Sequence, residues 1–151
     1  TPEKISIARK AYTRGMQCCR GNQFGKAIEF FEAAIQNNGT EPSYYARLGL
    51  TLIRARKSAV RAVDLAQKAI KLDPYNISHK LDLGSIYETI GSKSNAENIY
   101  DYILRWDAEN VQARAALERL GGRRKRFCLR PASRANGSGG LLGSLIGILR
   151  R

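Results

Sequence analysis

The sequence predicts an all-α fold: three stacked helix–turn–helix units closed by one further helix. Three observations predict it. First, a glycine recurs after a helical apolar stretch at Gly15, Gly49 and Gly84, with spacings of 34 and 35 residues. Second, each glycine is followed about twelve residues later by a small alanine, and then by apolar or small residues four and three further on. These trios are Ala27, Phe31 and Ala34; Ala62, Ala66 and Ala69; and Ala96, Tyr100 and Ile103. Steps of four and three keep each trio on one helical face, and its small members let a neighbouring helix approach. Third, the units end in matching punctuation, in which Pro74 cannot continue a helix but can open the next turn. A single unit cannot bury its apolar face, so units with this period stack.

The first unit, about 8–41, has a polar turn at Arg20 to Gln23. It ends irregularly in Asn37, Asn38, Gly39 and Thr40, with Pro42 opening the next helix. The second unit, 42–76, turns at Arg56 to Ala59, where one extra residue accounts for the 35-residue spacing. It stops at Leu72, Asp73, Pro74, Tyr75 and Asn76. The third, 77–110, turns at Gly91 to Ser94 and ends in Trp106, Asp107, Ala108, Glu109 and Asn110, the same phrase with Ala in place of Pro. Residues 109–120 are expected to form a capping helix. Val111, Ala113, Ala116, Leu117 and Leu120 would face the third unit, with Gln112, Arg114, Glu118 and Arg119 toward water. Gly121 and Gly122 end it, so the array occupies residues 1–122.

Leu83, Gly84, Tyr87, Ala96 and Tyr100 in the third unit resemble the tetratricopeptide-repeat (TPR) family, as do Tyr45, Leu48, Gly49, Ala62, Ala69 and Pro74 in the second. The resemblance covers roughly residues 5–120. Cys18, Ala66 and Lys80 depart from it, standing at the usual Tyr, Phe and Trp positions. It implies a right-handed TPR solenoid whose first helices line a concave groove for an extended peptide. Carried over by position, groove residues are Arg9, Tyr12, Met16, Cys19 and Arg20; Ser43, Ala46, Arg47, Leu50, Ile53 and Arg54; and Ser78, Leu81, Asp82, Ser85 and Glu88. An acidic and hydrophobic segment is the natural complement, because Arg forks pair with carboxylates while Tyr12, Met16 and Leu50 offer apolar area. The competing reading leaves these arginines as solvated surface. The clamp by which some TPR domains hold the C-terminal carboxylate of heat-shock chaperones is not matched, since its positions hold Tyr12, Met16, Arg47, Ser78 and Asp82. The second and third units also resemble, loosely, the C-terminal TPR regions of bacterial J-domain or receiver-domain proteins, implying a co-chaperone-like docking module.

Composition agrees with a binding role. The formal charge is +13, but from residue 123 onward eight Lys or Arg stand with no acid, leaving 18 minus 13, or +5, for the array. No segment reaches the roughly 18 apolar residues of a membrane span, and none reads as a secretory signal, so a cytoplasmic location is expected. A start at Thr1 is read as a piece of a longer protein. Cys18, Cys19 and Cys128 lack metal-ligand spacing and are expected to be reduced thiols, with Cys18 in the core. No GxSxG, GxxxxGK or HExxH motif occurs, and the lone His79 is expected at the surface. No catalytic residue, metal or cofactor is expected. The predicted function is non-enzymatic: a scaffold or adaptor holding a protein or peptide.

The remainder divides into a basic, Gly/Ser-rich linker at 123–140, including Arg123, Arg124, Lys125 and Arg126, and a short amphipathic segment at 141–151 with Leu142, Leu145, Ile146 and Leu149. This tail can dock on its own array or on a neighbouring copy, which would make a homo-oligomer. It can also associate with a membrane surface through flanking arginines. Nucleic-acid binding is disfavoured, because only Phe127 is available to stack on a base.

Overall fold

The computed structural model describes residues 1–121. The basic run Arg123 to Arg126, the linker, and the segment carrying Leu142, Leu145, Ile146 and Leu149 lie outside the described residues. Among the described residues there are seven helices and no strand: α1 (Pro2–Arg20), α2 (Phe24–Asn37), α3 (Pro42–Arg54), α4 (Ala59–Leu72), α5 (Ile77–Thr89), α6 (Lys93–Trp106) and α7 (Val111–Arg119). Successive helices pack as hairpins, and α3 also touches α5 directly. None of them is long and apolar enough to cross a membrane.

The repeat glycines mark close approaches within each helix pair. A Cβ at Gly15 would lie 2.6 Å from the Phe31 ring, and one at Gly84 would lie 2.6 Å from the Tyr100 ring. In the middle unit Ala66 replaces the aromatic residue, and here the neighbour is backbone: a Cβ at Gly49 would lie 2.9 Å from the Ala62 carbonyl oxygen. The smaller side chain lets α4 come in against α3 until only glycine fits. Ala27, Ile28, Phe31, Leu48, Leu52, Ala62, Ala66, Leu83 and Ile86 form one buried cluster running through all three units. Fully burying a side chain such as Phe31 contributes about 1.5–3 kcal/mol.

The three inner turns share one backbone pattern. Asn22, Arg56 and Gly91, each seven residues beyond its repeat glycine, adopt positive φ of 57°, 53° and 77°. In the middle unit the added residue follows this turn, and Ser58 then caps α4 by accepting from the Arg61 N–H at 3.2 Å. At the far end of each later unit an Asp–x–x–Asn phrase closes the helix and opens the next. Asn76 Nδ2 donates to Asp73 at 3.1 Å while its Oδ1 caps α5, and Asn110 repeats both bonds with Asp107 and α7.

Four expectations are corrected. His79 is buried, at 5% exposure. It stands five residues before Gly84, the register that Tyr44 holds before Gly49, and Tyr44 is wedged against Ala8 and Ala34 of the preceding unit. The side chain at this register separates adjacent units and cannot reach water. Val111 is 76% exposed and does not face the third unit: as the first residue of α7 it precedes the stripe formed by Ala113 and Ala116. Ala46 is buried with Tyr45 and Ala69 and does not line a groove. Cys18 is only partly buried, packed at the edge of the main cluster.

Candidate functional site

The first helices α1 and α3 meet along a shared face. A cavity of about 150 Å³ lies there, lined by Met16, Cys19 and Arg20 from α1 and by Arg47, Leu50, Thr51 and Arg54 from α3. Helical periodicity explains the set: Met16, Cys19 and Arg20 step by three and one, and Arg47, Leu50, Thr51 and Arg54 by three, one and three, so each group forms one stripe. The floor is tied across the helices. The Thr51 hydroxyl donates to the Arg47 carbonyl at 2.7 Å, so the Cys19 thiol, 3.4 Å from Thr51 Oγ1, supplies the proton of the inter-helix bond.

The rim is cationic. Arg20, Arg47 and Arg54 are exposed, and among the described residues none lies within ion-pair distance of a carboxylate. Asp82, half-buried on α5, is a carboxyl group that the charges of Arg47 and Arg54 reach. Burial pushes its titration above the ordinary value, and the charges of Arg47, His79 and Arg54 oppose that rise in decreasing order. Both ring nitrogens of His79 are buried without a hydrogen-bond partner among the described residues.

Other sequence-predicted positions are placed elsewhere. Arg9 lines a separate depression with Phe30 and Ala33 of α2. Tyr12 is a packing residue, its ring 5.7 Å from Phe31 and 5.0 Å from Tyr44. Leu81 packs on the Ala96, Tyr100 and Ile103 cluster beneath α7, whereas Ser78 and Ser85 are exposed. Glu88 is engaged: it accepts from the Tyr100 hydroxyl at 2.6 Å and from Arg119 of α7 at 3.0 Å. Burial, the Glu88 hydrogen bond and the Glu88 charge all raise the Tyr100 titration, so the phenol stays protonated and fastens α7 to the third unit. Thr51, which the sequence reading missed, lies one position beyond Leu50, and the same stripe periodicity would have included it.

No family model matches the sequence, and no curated protein does either. Solved structures do. The TPR domain of Arabidopsis OM64 superposes with a TM-score of 0.71 at 23% identity, over 78% of this chain and 97% of that one. The chain has the tetratricopeptide-repeat fold. Two further TPR structures share it. The first TPR of Spaghetti (RPAP3), bound to the HSP90 peptide SRMEEVD, gives a TM-score of 0.70 at 14% identity over 78% of this chain and 92% of that one. The second TPR domain of human RPAP3, in complex with the HSP70 peptide SGPTIEEVD, gives 0.68 at 18% over 80% and 98%. Within this TPR fold α1, α3 and α5 are the first helices of the three repeats, and α7 covers the last one.

Proposed function

We propose that this TPR array is a non-enzymatic interaction module whose α1–α3 cavity anchors an extended partner segment combining carboxylates with apolar side chains. One observation carries the reading: three arginines with no ion pair among the described residues surround a cavity also lined by Met16, Cys19 and Leu50. A guanidinium presents a planar fork of donors that matches a carboxylate, and such bonds are shorter and stronger than neutral ones. The apolar floor gives a Leu, Met or Phe side chain somewhere to be desolvated, which concentrates affinity at the centre of a contact. The two RPAP3 structures carry chaperone peptides ending in EEVD, which are acidic and hydrophobic in this sense. Here Tyr12, Met16, Arg47, Ser78 and Asp82 occupy the clamp positions of chaperone-binding TPR domains. The anchoring is therefore read as side-chain carboxylate on Arg20, Arg47 and Arg54, without a dedicated terminal-carboxylate clamp.

Peptide display against the immobilised chain, using random twelve-residue inserts, tests this. Enrichment of Asp or Glu beside Leu, Met or Phe is expected, with binding lost in the Arg47→Glu, Arg54→Glu double variant. Binders without acidic enrichment, or binders indifferent to that charge reversal, would overturn it.

A further inference from the structure

A further concave feature lies away from the α1–α3 cavity, on the edge where the second repeat passes into the third. Pro74, Tyr75, Ile77, Lys80, Tyr102, Ile103 and Trp106 line a notch of about 260 Å³. Its aromatic walls stand in water: Tyr75 is 94% exposed, Trp106 76% and Tyr102 42%. The Tyr102 and Trp106 rings lie 6.3 Å apart, and Lys80 sits over Tyr102 while donating to the Pro74 carbonyl. Exposing two large aromatic side chains beside a formed notch is unfavourable unless something covers them.

We propose that the notch is occupied by residues 141–149 of the same chain. Three features select this occupant. The segment supplies the missing apolar surface, with Leu141, Leu142, Leu145, Ile146, Ile148 and Leu149 among its nine residues. The charge around the notch favours it: the three acids Asp73, Asp101 and Asp107 adjoin Pro74, Tyr102 and Trp106 against the two bases Lys80 and Arg105, while Arg150 and Arg151 directly follow the segment. The α1–α3 cavity, rimmed by three arginines, repels the same basic tail. The reach is also sufficient. α7 begins five residues after Trp106 and has nine residues, so its end lies about 12 Å from its start at 1.5 Å per residue. The nineteen residues 122–140 have a maximum reach of about 60 Å at 3.3 Å per residue, more than the distance to be covered. Tethering at that length holds the segment at an effective concentration on the order of millimolar, so weak contacts suffice.

Trp106 is the chain's only tryptophan and reports directly on the notch. The test is acrylamide quenching of the full chain beside a full-length Leu145→Asp, Ile146→Asp variant, with far-UV circular dichroism confirming an unchanged array. Docking predicts a shielded indole in the parent chain, with a quenching constant that rises about two- to threefold in the variant and does not change on tenfold dilution of the parent. Asp101→Lys, an exposed single change, should raise the parent's quenching as well. Equal quenching in parent and variant overturns the proposal. Quenching that rises on dilution assigns the contact to a second copy, and shielding that appears only with anionic phospholipid vesicles assigns the notch to a membrane; either result overturns it too.

Discussion

At the residue scale, three positions are set by a single local conflict. Gly49 has no room for a methyl group beside the Ala62 carbonyl, and because that oxygen is backbone it cannot swing aside. Gly49→Ala sets an overpacking cost of about 1–3 kcal/mol against a gain in helix propensity of at most about 1 kcal/mol. The variant should therefore be less stable in urea unfolding, by about 1 kcal/mol at the middle of these ranges. Arg56 holds a left-handed backbone without the compensations of Gly91 or of Asn22, whose residue type tolerates that region. Relief at Arg56 exceeds the added unfolded-state entropy, so Arg56→Gly should stabilise by about 0.5 kcal/mol, and Asn22→Gly by less. Asp82 gives a pH dependence. Its unfolded titration lies near 3.8 and burial raises the folded value, so above 3.8 the native state holds a proton that the unfolded chain has already lost. Stability therefore falls as pH rises through that window. Asp82→Asn should melt higher than the parent at pH 7, with the difference closing as the pH approaches 3.8.

At the scale of elements, the α7 cover depends on a few specific bonds. Glu88 joins Tyr100 of α6 to Arg119 of α7, and the small faces of Ala113 and Ala116 add packing but little area. Glu88→Gln removes the charge that holds Arg119 and weakens the bond from Tyr100. Hydrogen exchange of the α7 amides should accelerate by about tenfold while the α1–α3 amides keep their protection. This scale also shows what was legible in the sequence. The glycine spacing, the alanine trios and the Asp–x–x–Asn phrases specified the helices, because each encodes a backbone requirement within one or two turns. His79, Val111 and Ala46 were misplaced for a different reason. Their burial depends on how one unit sits on the next, and polarity alone assigned His79 to the surface. Comparing His79 with Tyr44 at the same register carries the missing information. Of the positions that the TPR resemblance implied, Met16, Cys19, Arg20, Arg47, Leu50 and Arg54 line one cavity, but Arg9, Tyr12 and Glu88 are drawn into neighbouring contacts that sequence does not display.

Across the whole molecule, the buried cluster from Ala27 to Ile86 links all three repeats, so the face made by α1, α3 and α5 is carried on a single packed support. That support fixes the backbone positions of α1 and α3 relative to each other, and a partner bound as proposed would not have to order them. Of the 26 Lys and Arg, eight lie beyond residue 122, and Arg20, Arg47 and Arg54 are the three gathered at the α1–α3 cavity. The most direct measurement of the groove reading is amide chemical-shift mapping of the full, isotopically labelled chain during titration with a display-selected acidic, leucine-bearing peptide. The predicted result is a set of shifts centred on Met16, Cys19, Arg20, Arg47, Leu50 and Arg54, abolished by the Arg47→Glu, Arg54→Glu change. Shifts centred on Tyr75, Tyr102 and Trp106, with the α1–α3 amides unmoved, would contradict it.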